Sequence, residues 1–140
     1  MNPAARVLAI ERTDRELLLL RQNRERFGAY NIQVVGGEAP SGLAGDQSRP
    51  HSVFVGGSGH QLVGILDLCR NSLEDCGRLV ASFVTLENLS LCLQRIDSWQ
   101  WRRQVTQIAI ARSEELGGLT SLRPERSVWV VRTDKPGGGR

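Results

Sequence analysis

Aromatic side chains are scarce in this sequence, with three Phe, three Trp and one Tyr in 140 residues. The three indoles, Trp99, Trp101 and Trp129, do not alternate with Lys or Arg as a base-stacking strip requires, which argues against a nucleic-acid partner. An excess of one charge is lacking as well. Eighteen basic residues stand against fifteen acidic ones, and the net +3 is spread along the chain without a basic run. Cysteine is limited to Cys69, Cys76 and Cys92, an odd number at wide spacing. With no C-x-x-C pair and no Cys/His cluster, these read as reduced thiols and no metal site is expected. No apolar run approaches the roughly 18 residues needed to cross a bilayer, and Met1 to Arg6 has no apolar centre like that of a signal peptide. A cytoplasmic protein without a membrane partner is the expectation.

Hydrophobic residues make up 40% of the chain, enough for one compact domain, here placed at residues 1–133 with a disordered tail from Asp134 to Arg140. The apolar run Val7 to Ile10 predicts a strand with Glu11 at its end. Thr13 and Glu16 have the spacing of a capping box, so a helix begins there. It turns Leu17, Leu20 and Phe27 inward and stops at Gly28. A second strand, Ile32 to Val35, runs into Gly36, Gly37, Glu38, Ala39 and Pro40, which force a turn.

Gly, Ser, Pro and charged residues from Ser41 to His51 suit a loop or a short frayed helix. Val53 to Val55 gives a third strand, ending in Gly56-Gly57-Ser58-Gly59. From Gln61 to Leu73 the residues Leu62, Ile65, Leu66, Cys69 and Leu73 share one helical face. A turn at Asp75-Cys76-Gly77 leads to a strand at Leu79 to Phe83, and a helix from Thr85 to Ser98 turns Leu86, Leu89, Leu93 and Ile96 inward. Arg103 to Ala111 reads as one long strand, Arg112 to Ser127 as a glycine-containing loop and Val128 to Val131 as the last strand. Alternating strands and helices imply a mainly parallel sheet with helices on both faces, and the last two strands, with no helix between them, pair antiparallel at an edge.

The motifs V-L-A-I-E-R-T, R-Q-N-R-E-R-F-G, V-V-G-G-E-A-P, V-F-V-G-G-S-G, G-R-L-V-A-S-F-V-T-L-E and L-G-G-L-T follow one another from about residue 6 to residue 132. In that order they resemble the decarboxylating precorrin-6Y C5,15-methyltransferase family of cobalamin (vitamin B12) biosynthesis, and within it the T-type C15-methyltransferase domain. The resemblance implies a class I, Rossmann-like S-adenosylmethionine-dependent methyltransferase. Its reaction would methylate C15 of a precorrin tetrapyrrole and decarboxylate the C12 acetate side chain. It also implies a homo-oligomer and an E-type precorrin methyltransferase domain, fused or separate, as a partner.

On this resemblance S-adenosyl-L-methionine is bound by Glu11, Arg12, Gly37, Glu38 and Ala39. The Glu11 carboxylate can accept from two ribose hydroxyls, and equally it is an acid at a helix start. Glu38 stands where the family more often has Asp near the adenine amino group, and without the family it is a turn residue. Gly56, Gly57, Ser58 and Gly59 lie where open α/β sheets bind ligands, ahead of a helix whose free amides favour anions, so they, with Thr85 and Arg112, are assigned to the carboxylate-rich macrocycle. Arg123 flanks the same L-G-G-L-T segment. His60 and Glu87 are the candidate acid and base, although each also reads as a solvated or dipole-favoured residue.

Methyltransferases of this class hold the methionine part of the cofactor with a G-x-G-x-G loop after their first strand, and no such stretch precedes Glu11. The first strand and its glycine-rich loop are therefore expected to be missing, with the chain a truncated reading of a longer protein. Two other functions stay open here: an inactive fragment that serves in assembly, and a methyltransferase for another substrate such as tRNA.

Overall fold

The computed structural model describes residues 5–43, 49–57 and 59–138. The chain forms two compact units, Met1–Asp46 and Gln47–Arg140, where the composition had suggested one. The sheets explain the division, because no strand of the first unit pairs with a strand of the second among the described residues.

The first unit contains β1 (Val7–Glu11), α1 (Asp14–Arg26) and β2 (Ile32–Gly36). The strands pair in parallel, with Val7 opposite Ile32 and Glu11 opposite Gly36. Thr13 caps α1 as its spacing predicts: Glu16 N–H donates to Thr13 Oγ1 at 3.3 Å, and Thr13 Oγ1 donates to Glu16 Oε2 at 2.8 Å. Leu17 is buried and seats on Gly36, where an added Cβ would stand 3.1 Å from its Cδ1. Phe27, expected inward, is exposed, because it lies beyond the last helical residue and no longer follows the α1 face. A 3-10 turn at Ser41–Leu43 follows, and the rest of the expected loop up to residue 48 lies outside the described residues.

The second unit runs β3 (Ser52–Val55), α2 (Leu62–Ser72), β4 (Arg78–Phe83), α3 (Leu86–Ser98), β5 (Arg103–Ile108), β6 (Ala111–Leu116), β7 (Leu119–Pro124) and β8 (Val128–Asp134). Its main sheet has the order β3-β4-β8-β5. β3 and β4 are parallel, and β8 runs antiparallel to both β4 and β5, which sits at the edge. The expected antiparallel pairing of the last sheet strands is therefore present.

The core of this unit follows the helical face read from the sequence. Leu62, Ile65, Leu66, Cys69 and Leu73 are all buried, as are Leu79, Ala81, Phe83 and Val131 on the strands. On α3 the buried residues are Leu89, Cys92 and Ile96, with Leu93 half-buried. Leu86, expected inward, is exposed because the first turn of α3 projects past the end of β4. Helices on both faces were expected, yet α2 and α3 share one: Arg95 on α3 grips Asp67 on α2 through Nε–Oδ1 and Nη2–Oδ2 bonds of 2.7 Å. Both crossovers step the same way across the sheet, and right-handed connections then place both helices on one side.

The segment from Arg112 to Ser127 is a hairpin rather than a loop. β6 and β7 pair in register from Ala111 opposite Pro124 to Leu116 opposite Leu119, and the turn is Gly117-Gly118, with φ of +59° and +77°. Two consecutive positive φ values make the tight turn that suits hairpin twist, and glycine adopts them without strain. The predicted strand Arg103 to Ala111 accordingly breaks after Ile108. The C-terminal segment is also more ordered than expected. β8 continues to Asp134, Lys135 N–H donates to Gly77 O at 2.8 Å, and Gly138 N–H donates to Asp75 Oδ2 at 3.2 Å. Residues 139–140 lie outside the described chain.

Burial pushes the Cys69 thiol up to about 12 and the Cys92 thiol up to about 11, whereas Cys76 is exposed. An unfolded chain ionises its thiols near pH 8.5, so the stability these two contribute is complete below that value and is lost as pH rises towards the folded ones. At pH 8 a disulfide reagent is expected to modify Cys76 rapidly, and Cys69 and Cys92 only after denaturant is added. Rapid reaction of all three in the native protein would contradict this packing.

Candidate functional site

Each unit brings its candidate residues to the carboxyl end of its parallel strands. In the first unit the pairing of Glu11 with Gly36 aligns the two strand ends, and Gly37 N–H donates to Glu11 O at 3.0 Å. Gly37 has φ of +150°, and an added Cβ would meet Gly42 Cα at 3.3 Å, so the turn that closes on Gly42 needs glycine. That turn is held by Gly42 N–H and Ser41 Oγ, which donate to Glu38 O at 2.6 and 2.9 Å. Ala39 lies within it.

Side chains join the two strand ends. Arg12 Nη1 stands 3.5 Å from Glu38 Oε1, and both groups are exposed enough for this pair to orient them rather than to stabilise the fold. Glu11 Oε1 accepts from the Arg12 backbone N–H at 2.7 Å. Glu16 stands close by, its carboxyl held below the usual carboxylate range first by the Thr13 hydroxyl. The edge therefore presents carboxylate oxygens, which only accept, beside one guanidinium. Such a donor-poor rim suits a molecule that brings its own hydroxyl and amino donors, as a nucleoside does.

In the second unit β3 ends at Val55, and Gly56, Gly57, Gly59 and His60 follow, all exposed. Ser58 falls outside the described residues. The N-cap of α2 is Gln61, which makes no side-chain capping bond, so the first amides of α2 are not met by their own cap. At the end of the adjacent β4, Thr85 is the N-cap of α3, extended at φ −119° and ψ 145°, and its hydroxyl does not close onto the helix either. Exposed Glu87 lies in the first turn of α3. Two helix starts with side-chain-free caps thus stand side by side where parallel strands β3 and β4 end.

The structure does not gather Arg112 with these turns as a free charge. It lies on β6, opposite Arg123, and its Nε is paired with Glu125, while Arg123 Nε stands 3.6 Å from Glu114 Oε2. The hairpin does spring from the carboxyl end of β5, which shares its direction with β4, so Arg112 belongs to the same edge of the sheet. Exposed Val84 and Leu86 flank Thr85; Leu86 was read from its helical spacing as core, and Val84 was given no role. Among the described residues no three His, Cys, Asp or Glu side chains gather as a metal site, and no helix is long and apolar enough to cross a membrane.

Residues 1–135 match the family model of the precorrin methyltransferase domain. The chain belongs to that family. It is 34% identical over 134 residues to a cobalt-precorrin-6B C(15)-methyltransferase (decarboxylating) of Salmonella typhi, covering 95% of this chain and 68% of that protein. It is 31% identical over 127 residues to a precorrin-6Y C(5,15)-methyltransferase (decarboxylating) of Sinorhizobium, covering 91% of this chain but only 30% of that longer protein. Among solved structures, precorrin-6y C5,15-methyltransferase from Geobacter metallireducens superposes with a TM-score of 0.87 at 29% identity, over 95% of this chain and 70% of that one. The fold is accordingly that of a class I methyltransferase, and the expected family is the observed one.

The capping box beside Glu11 gives a direct test of the first unit. Because the Glu16 carboxyl is depressed in the folded state, its contribution is present above its unfolded value and is lost as pH falls through the folded one. Replacing Thr13→Ala removes the first cause of that depression and an N-cap, which is expected to cost about 1 kcal/mol and to raise the Glu16 titration midpoint in NMR. An unmoved midpoint would contradict the described cap.

Proposed function

We propose that this domain transfers a methyl group from S-adenosylmethionine to C15 of a precorrin, with loss of the C12 acetate carboxyl as carbon dioxide, in the cytoplasmic synthesis of cobalamin. The observation that carries this reading is the match of residues 1–135 to the precorrin methyltransferase domain, with relatives named as decarboxylating C15-methyltransferases of cobalt-precorrin-6B. The acceptor-rich rim at Glu11 and Glu38 supports it independently, since ribose hydroxyls and an adenine amino group are donors.

When bound, the cofactor supplies an electrophilic methyl on a sulfonium. The residues of this chain orient the reactants and exclude water. Glu11 accepts from the ribose, while Gly37, Glu38 and Ala39 shape the adenine side and Arg12 keeps Glu38 in place. The amides of Gly56 and Gly57, together with the Thr85 hydroxyl and the first amides of α3, receive substrate carboxylates. Gly59 and Arg112 extend that surface, and Ser58, assigned to the same substrate from the sequence, lies outside the described residues. His60 and Glu87 move the proton that carbon chemistry requires at this edge. An E-type precorrin methyltransferase domain, fused or separate, is the natural partner.

Removing the carboxylate tests the cofactor reading. Glu11→Ala is expected to weaken S-adenosylmethionine binding in calorimetry by about tenfold or more, the worth of a hydrogen bond to a charged acceptor, with little change in melting temperature. Unchanged affinity, or a loss of stability alone, would identify Glu11 as a helix-start acid only.

The same proposal includes self-assembly. Leu116, Leu119 and Leu122 are 66, 75 and 69% exposed on a two-stranded hairpin, a form that is marginal in water without a covering surface. A second copy suits it, because Arg112, Arg123 and Arg126 balance Glu114, Glu115 and Glu125 within the hairpin region. Light scattering is expected to give a multiple of the chain mass, falling to the monomer in Leu116→Asp/Leu119→Asp. A monomeric parent protein would contradict this.

A further inference from the structure

A depression of about 590 Å³ lies at the other end of the second unit's sheet, lined by Arg70, Asn71, Trp101, Lys135 and Pro136. Arg70 and Asn71 belong to the last turn of α2, Trp101 precedes β5, and Lys135 and Pro136 directly follow β8. Asp134, the final residue of β8, pairs with Arg78 at the start of β4, whereas Thr85 follows the end of β4. Six strand residues, about 20 Å, thus separate this depression from the edge assigned to methyl transfer.

Its parts are held before any ligand arrives. Trp101 packs edge-on against buried Trp99, with ring centroids 5.0 Å apart and planes at 62°. The Arg70 guanidinium stands 5.8 Å from the centre of the Trp99 ring, a cation–π contact that orients it, and it has no carboxylate partner among the described residues. Lys135 Nζ donates to Leu73 O at 2.7 Å and to Arg70 O at 3.4 Å, which fixes the ammonium over the end of α2 and leaves a third N–H. The Asp75 carboxylate, 4.0 Å from Lys135 Nζ, is the nearest competing anion and is committed to the Gly138 amide. None of the lining residues is acidic.

We propose that this depression binds a small planar anion, a conjugated ring lying against Trp101 with its carboxylate received by Arg70 and Lys135. Arg70 supplies a planar fork of donors matched to a carboxylate, Lys135 a fixed point charge, Asn71 an amide, and Trp101 and Pro136 the apolar wall. The site is independent of the methyltransferase reading and lies outside the residues assigned to it.

Two-dimensional NMR of the ¹⁵N-labelled chain resolves the proposal, because the three indole N–H groups divide usefully. Trp101 lines the site, buried Trp99 packs against it, and Trp129 pairs with Phe83 at the far end of β4 as an internal control. Titration with 2-naphthoate is expected to shift the Trp99 and Trp101 resonances saturably and to leave Trp129 in place. The neutral 2-naphthamide should bind about tenfold more weakly, as should 2-naphthoate to Arg70→Ala, with Arg70→Lys intermediate. The unmoved Trp129 resonance reports that each variant is folded. Absence of a saturable shift, equal binding of acid and amide, or a Trp129 shift as large as that of Trp101 would overturn the proposal.

Discussion

Two strands that run parallel cannot be joined by a tight turn, and in this chain each parallel pair is connected by a helix that carries the backbone back to the starting end. The consequence is an edge. β1 delivers Glu11 and β2 delivers Gly37 and Glu38 to the same side of their sheet, while β3 and β4 deliver the glycines and Thr85 to one side of theirs. Register makes the first of these specific, since Glu11 is opposite Gly36 and a slip by one residue would reverse every side chain. Leu17 on Gly36 and the Gly37 amide on Glu11 O hold that register from the helix and from the turn.

In the second unit the antiparallel β8 does corresponding work. Inserted between β4 and β5, it lets a strand reached without a helix complete the sheet, and it buries Thr133, whose Oγ1 donates to Arg102 O at 2.8 Å. Charged pairs then fix the margins: Asp67 with Arg95 between helices, and Asp97 with Arg103 from α3 to β5. Hydrogen bonding to Arg103 holds the Asp97 carboxyl down, and Asp134 is lowered in the same way by Arg78 first and Arg132 second. Their support is present above the ordinary carboxylate range and is lost as pH falls through the lowered values. Asp97–Arg103 and Arg78–Asp134 are exposed, and Asp67–Arg95 and Arg132–Asp134 are only part-buried, so these pairs position elements more than they stabilise them.

The parts that were legible in the sequence are those with strong periodicity or strong local chemistry. The α2 face from Leu62 to Leu73 and the Thr13–Glu16 box needed no tertiary information. Phe27 and Leu86 were misplaced because helical spacing continues in the sequence beyond the point where a helix still faces a sheet. The hairpin was missed although Gly117-Gly118 is a two-residue turn signal, since the flanking residues Arg112 to Glu115 alternate too weakly to announce a strand that is buried on neither face. For the candidate site, the family motifs supplied the candidate residues, while the ion pairs that occupy Arg12 and Arg112 depend on partners 26 and 13 residues away and were not readable from spacing.

Mass spectrometry of the tetrapyrrole follows the proposed methyl transfer to its product. Incubated with S-adenosylmethionine and a precorrin that still carries its C12 acetate, the protein is predicted to return a macrocycle that has gained one methyl group and lost one carbon dioxide, with S-adenosylhomocysteine formed in step. Recovery of the macrocycle unchanged while the cofactor is demonstrably bound would rule out methyl transfer to the precorrin by this chain.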